Sequence, residues 1–279
     1  MLHVVVLGAG ELGSAVARAV ATSGIVGRVT LVDDAADVAC GKALDIHQAG
    51  AVEPTDAEVR GSGDPAVVVG AAAIVVADRH AGGEWNGDDG LPLLSRLRAL
   101  SPRAPLVCAG ALQLALIERA VVETGADRQR LIGSAPEALR AGAVALACLE
   151  AGCGPREVSL SLLGRPPGGA FVPWGDAAIG GRRADQVLSP AAIARLDARI
   201  ERLWPPGPVS LAAAAARVVR LALTGGPGVA SVFAVPHRDG QRPTRGAALP
   251  AVFTPAGLQM SVPALSARDR VRLDRVLAS

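Results

Sequence analysis

Val4-Val5-Val6-Leu7-Gly8-Ala9-Gly10-Glu11-Leu12-Gly13, an apolar run closed by Gly-x-Gly-x-x-Gly, decides how this chain is read. Each glycine has its own task in such a turn. Gly8 permits the sharp exit from a strand, Gly10 lets the backbone come close to a pyrophosphate, and Gly13 lets the following helix pack tightly on the sheet. The expected helix, 11–23, aims unpaired N–H groups and the positive end of its dipole at the same spot, which suits a phosphate. The next apolar run, Arg28-Val29-Thr30-Leu31-Val32, ends in Asp33, followed by Asp34. An acid at that strand end accepts ribose hydroxyls and repels a 2′-phosphate, so NAD is favoured over NADP. Glu11 and Leu12 in the turn, with Ala77 and Ala109 at two later strand ends, complete the residues expected to line the cofactor. Two bland alternatives stand beside this reading: a strand-to-helix turn that binds nothing, and an acidic pair that only caps the next helix.

Outward from the turn, strands are expected near 3–7, 28–32, 57–60, 72–77, 104–108 and 130–132, with helices near 11–23, 36–49, 88–100 and 112–124. Such alternation implies an α/β fold, a Rossmann-type doubly wound parallel sheet. After Gly133 the pattern changes. A helix near 137–152, a glycine- and proline-rich stretch from Gly164 to Gly181, helices near 190–203 and 209–224, strands near 229–235 and 247–262, and a last helix at 267–278 read as a mixed α+β domain. Ser266 and Asp269 give that last helix a capping-box-like start. The boundaries follow: 1–134 for the dinucleotide-binding part and 135–279 for a substrate-type part.

At 279 residues and 50% hydrophobic, the chain can bury one large core or two modest ones. Net charge is +2, but it divides into −5 over residues 1–134 and +7 over the rest. The arginines behind that surplus are spread over helices and loops, and aromatics make up only 2% of the chain, so nucleic acid is not an expected partner. The longest uncharged apolar stretch, Ala66 to Ala77, is too short to cross a bilayer, and the first strand starts almost at Met1; a cytoplasmic protein is expected. Cys40, Cys108, Cys148 and Cys153 form no Cys-x-x-Cys pair and read as buried, reduced thiols, while His3, His47, His80 and His237 are scattered, so no metal site is expected.

Gly8 to Gly13, the Asp33 strand end, Gly41-Lys42-Ala43-Leu44-Asp45, Leu131-Ile132-Gly133 and the terminal helix stand in the order and spacing of one family. The chain resembles the lactate/malate dehydrogenase superfamily over essentially its whole length, and Gly41 to Asp45 is the most specific piece. The resemblance implies NAD(H) as cofactor, a homodimer or tetramer, and hydride transfer between nicotinamide and a 2-hydroxy or 2-oxo acid.

The departures from that pattern carry more information than the matches. Where the family has Thr-Asn-Pro, alignment without gaps back from Gly133 puts Gly110-Ala111-Leu112. Where it has an aspartate that orients the catalytic histidine and an arginine that grips the substrate carboxylate, the same register places Leu139 and Gly142. Pro166, in Gly164-Arg165-Pro166-Pro167-Gly168-Gly169, takes the place of the acid/base histidine, and proline cannot transfer a proton. The loop after the fourth strand, Asp78 to Gly87, is shorter than the family's; Arg79 and His80 read as surface residues within side-chain reach of the pocket. Glu137 and Arg140 repeat the acid-to-arginine spacing two residues early, which turns them about 200° around a helix and reads as an ordinary surface salt bridge. His237 lies in a turn the family uses away from the chemistry.

The expected function is an NAD(H)-binding homologue without ordinary malate or lactate dehydrogenase activity, a pseudoenzyme acting as sensor or assembly subunit. Leu139 and Ala111 are expected to make the former substrate site smaller and less polar than a 2-hydroxy acid needs, with Arg165 as one cationic edge for a small anionic ligand and the nucleotide cleft beside Gly8 to Gly13 open. Two alternatives stay open: an active oxidoreductase rebuilt around His80, Arg79 or Arg165, and a structural oligomer that binds no nucleotide.

Overall fold

The computed structural model describes residues 1–53, 55–226, 228–236 and 245–278; the expectation about His237 falls outside them. The first half alternates as the sequence implies: β1 (His3–Leu7), α1 (Glu11–Ala21), β2 (Arg28–Val32), α2 (Ala36–Ala49), β3 (Glu58–Ser62), β4 (Ala73–Val76). A two-strand hairpin, β5 (Asp78–Arg79) and β6 (Gly83–Glu84), then interrupts the alternation before α3 (Gly87–Leu100), β7 (Leu106–Cys108), α4 (Leu114–Thr124) and β8 (Leu131–Gly133). The central strands run β3-β2-β1-β4-β7-β8, all parallel. That is the strand order of a doubly wound, Rossmann-type sheet, and the order of strands reverses between β1 and β4. β1 and β4 are almost wholly apolar and buried because helices cover both faces of the sheet.

Past β8, α5 (Ala135–Ala151) leads to β9 (Val158–Ser159), β10 (Leu163–Arg165), β11 (Gly169–Phe171), β12 (Ala178–Ile179), β13 (Arg182–Arg183), α6 (Ala184–Val187), α7 (Pro190–Glu201) and α8 (Pro208–Thr224). The chain closes with β14 (Ala230–Ala234), β15 (Ala247–Thr254), β16 (Gly257–Met260) and α9 (Ala267–Ala278). β14 adds to β8 antiparallel, with Phe233 opposite Gly133, and carries the sheet on through β15 to β10 and β11. The single strand expected at 247–262 is thus a hairpin, broken where Gly257 takes a φ of +126°. At α9 the Ser266 hydroxyl accepts the Asp269 N–H at 3.1 Å, the cap its sequence suggested.

One core lies along the parallel sheet and takes in α8 and β14. A second gathers Leu139, Leu162, Val172, Trp174 and Leu196 between α5 and α7. Of the cysteines, Cys108 and Cys148 are buried as expected and Cys153 is half-buried. Cys40 corrects the reading: it is exposed, because its backbone faces Gly61 of β3 and its side chain is left on the outer side of α2. No helix among the described residues is long and apolar enough to cross a membrane.

Candidate functional site

The glycine turn between β1 and α1 has no room to spare at any of its three glycines. Gly8 adopts φ +105°, and its N–H bonds Val32 O at 2.7 Å, tying the exit of β1 to the end of β2. A Cβ on Gly13 would sit 1.8 Å from Gly8 O, so only glycine lets α1 press onto the strand end. On Gly10 a Cβ would lie 2.2 Å from Asp78 Oδ2. The space a pyrophosphate would need beside Gly10 is therefore filled by a carboxylate of the same chain.

Asp78 is the residue the sequence reading missed. It opens the β5–β6 hairpin at the end of β4, and its side chain accepts the Gly13 N–H at 2.8 Å and the Leu12 N–H at 3.3 Å. Its main-chain oxygen accepts the Gly10 N–H at 2.9 Å. A carboxylate at a helix N-terminus is stabilised by the free N–H groups and the dipole, the same two features that hold a phosphate. Lys42, the chain's only lysine, donates its ammonium to Ala9 O at 2.7 Å and Gly10 O at 3.2 Å, and so fixes the carbonyls of the turn.

Asp33 stands where expected, at the end of β2, but its carboxylate faces inward. Oδ2 accepts the Ala9 N–H at 2.8 Å and the His80 N–H at 2.9 Å, and Oδ1 accepts the Ala35 N–H at 3.0 Å. Burial works to raise the Asp33 pKa, but the three N–H bonds and the nearby His80 outweigh it and hold the group below its ordinary range. With roughly four acceptor positions on a carboxylate, few remain for a ribose diol. Glu11 is exposed, while Leu12, Ala77 and Ala109 are buried around the same corner.

The far end of the hairpin repeats the pattern. Glu84, paired with Asp78 in register, accepts the Ala111 N–H at 3.0 Å and the Leu112 N–H at 2.8 Å in the turn that leads into α4. Burial raises its pKa; the two N–H bonds pull the other way, and the Asp78 charge adds to the rise. Buried Gln113 seals this corner, accepting the Gly110 N–H at 2.9 Å and donating to Trp85 O at 3.3 Å. Cys108 beneath it is pushed up to about 12 by burial and by Glu84, and is inert as a thiol. Arg79 points out of this corner: its guanidinium stacks 4.4 Å from the Trp85 ring and reaches Asp89 at 3.5 Å. The His80 side chain is exposed.

In the second half, Leu139 is part of the apolar core, Gly142 faces Leu203, and Pro166 is buried. None of the three can donate, accept or carry a proton through its side chain. Arg165 is spent on a bidentate pair with Glu118 and a bond to Gly246 O at 3.0 Å. Glu137 and Arg140 do pair, at 2.8 and 2.6 Å, but the surface setting is corrected: Glu137 is only 2% exposed. Glu137 turns into the packing of α5 on α8 and β14, where it accepts the Ser231 N–H at 2.9 Å. Arg217 of α8 lies 2.8 Å away, at an angle too poor for a hydrogen bond, so its attraction is that of charge.

No protein-family model matches the sequence. A malate dehydrogenase from Roseiflexus sp. (strain RS-1) is 29% identical over 168 residues, 57% of this chain; the chain spans about half of that relative, 54% of its length. Among solved structures, the malate dehydrogenase from Aeropyrum pernix superposes with a TM-score of 0.86 at 18% identity, covering 99% of this chain and 95% of that one. The lactate dehydrogenase from Cryptosporidium parvum, solved with lactic acid and nicotinamide adenine dinucleotide, gives 0.85 at 16% identity, covering 99% and 95%.

Proposed function

We propose that this chain, which shares the fold of the lactate/malate dehydrogenase superfamily and a sequence likeness to it, is an NAD(H)-binding homologue that no longer performs the ordinary malate or lactate reaction. One observation carries the loss of chemistry. The positions aligned with the family's aspartate, arginine and histidine hold Leu139, Gly142 and Pro166; Leu139 is buried in an apolar core and Pro166 is buried. General acid–base catalysis contributes about 10²–10⁴ in rate and each preorganised donor to a developing oxyanion about 10²–10³. Glu137, Arg140 and Arg165, the charged residues beside these positions in the sequence, are committed to internal pairs.

NAD(H), when bound, supplies a hydride donor or acceptor. The residues of this chain that would hold it are the N–H groups of Leu12 and Gly13 for the pyrophosphate, Asp33 for the ribose, and Ala77 and Ala109 along the cleft, with Glu11 at its rim. The donor set fits a pyrophosphate in kind, since it already holds a carboxylate. Residues 1–134 form the nucleotide half in this reading and 135–279 a substrate-type half left without its chemistry. The role is that of a cytoplasmic sensor or assembly subunit, homodimeric or tetrameric, with at most a small anionic ligand in the former substrate corner.

The test is NADH oxidation with oxaloacetate and with pyruvate at saturating concentration. No turnover above background is expected; turnover that vanishes in Arg165→Ala or Glu137→Gln would replace this reading with a rebuilt oxidoreductase. A second reading, a structural protein that binds no nucleotide, is favoured by the internal occupation of the cradle by Asp78. Titration calorimetry separates the two: heat with NAD(H), and less with NADP, supports the first.

A further inference from the structure

We infer that Asp78 is an affinity-limiting residue of the glycine turn, an internal anion that competes with any pyrophosphate for the N-terminus of α1. The inference rests on reading that turn as the dinucleotide site. Three observations converge. The Asp78 carboxylate occupies the Gly13 and Leu12 N–H groups, the donors a phosphate would use. It fills the space in front of Gly10, with Oδ2 2.2 Å from where a Cβ would stand. Its main-chain oxygen is tied to the Gly10 N–H, so the hairpin backbone stays in place whether or not the side chain leaves.

The physical consequence is an exchange. A pyrophosphate cannot share these donors with a carboxylate at contact distance, because like charges repel strongly in a half-buried site. Asp33 adds a second negative charge at the same corner, and the Lys42 ammonium is already drawn toward the carbonyls of the turn. Asp78 is half-buried, so its side chain is already partly in contact with solvent. The wild-type protein therefore binds dinucleotide only as tightly as the ligand outcompetes its own carboxylate. Glu84 holds the other end of the hairpin on the Ala111 and Leu112 N–H groups, so the β5–β6 segment remains anchored while Asp78 swings.

The experiment is titration calorimetry on the full chain as wild type, Asp78→Asn and Asp78→Ser, with NADH and separately with inorganic pyrophosphate. Thermal melts establish that each protein is folded. Asn keeps an acceptor for the Gly13 N–H without the charge, and Ser clears the cradle with a small hydroxyl; having both guards against one variant misfolding. Pyrophosphate and NADH should each bind at least tenfold tighter to the variants than to wild type. Equal or weaker binding in the variants overturns the inference while a wild-type signal leaves the NAD(H) reading intact. Tighter pyrophosphate binding with no NADH binding in any protein supports the inference and removes the NAD(H) reading. Absence of binding by both ligands in all three proteins overturns both, since a cleared cradle of this kind should accept a phosphate.

Discussion

Replacing Glu137 by alanine separates a structural from a catalytic account of the most conspicuous charge cluster in the second half. The Glu137 carboxylate is 2% exposed and neutralises two guanidinium groups, Arg140 on its own helix and Arg217 on α8, while also accepting the Ser231 N–H inside β14. Removal strands all three. The Ser231 N–H is fully buried and would lose its acceptor, at a cost of about 1–3 kcal/mol. Arg140 and Arg217 keep 18% and 34% of their side chains exposed, so water recovers part of their loss. Together with the void left by the side chain, the total should fall at about 3–5 kcal/mol, the usual range for breaking a buried pair from one side. Glu137→Gln, which retains an oxygen for Ser231 but no charge, should cost less, about 1–3 kcal/mol. Urea unfolding followed by circular dichroism measures both. A loss under about 1 kcal/mol for Glu137→Ala, or an unchanged melt with altered ligand binding, would refute the argument that this pair is a packing device.

Gly13→Ala should destabilise the protein by more than about 3 kcal/mol, or prevent soluble expression, since the new Cβ would meet Gly8 O at 1.8 Å and overpacking alone commonly costs 1–3 kcal/mol; a melting curve like wild type would contradict this. Asp33 has a folded pKa below its ordinary value of 3.8, so its contribution is complete above that value and is lost as pH falls through the lower folded value. The stability difference between wild type and Asp33→Ala, measured by urea titration, should accordingly hold steady from neutral to mildly acidic pH and shrink only below it; a difference that fades between pH ~5 and ~7 would oppose the assignment. Arg165→Ala should cost about 1–2 kcal/mol through the loss of Glu118 and Gly246 contacts, with dinucleotide affinity unchanged; a large fall in affinity would bring Arg165 into the binding site.

The parallel half was legible because its signals are local. The run from Val4 to Gly13 and the strand ending at Asp33 each state their structure within a dozen residues, and hydrophobic runs punctuated by glycine mark β4 and β7 equally well. What stayed hidden depends on contacts far apart in the chain. Asp78 reads as the first polar residue of a loop, and only the β1–β4 pairing brings it against α1, more than sixty residues upstream. An acid closing the apolar run Ala71 to Ala77 was the available clue, since in this strand order that end faces the glycine turn. Glu137 was placed correctly on its helix and paired correctly with Arg140, yet its burial depends on α8 and β14, which no spacing rule on one helix can supply. Cys40 failed for the same kind of reason: an apolar neighbourhood in sequence does not say which side of a helix meets the sheet.

In the proposed function, a dehydrogenase-type fold binds NAD(H) without the proton relay that turns binding into catalysis. This is tested most directly by titrating NADH fluorescence with the purified protein and then adding oxaloacetate to the same sample. A saturable fluorescence change on binding is expected, stronger in Asp78→Ser, with no subsequent oxidation of the bound NADH above the protein-free rate. Rapid oxidation after the addition of oxaloacetate would contradict it.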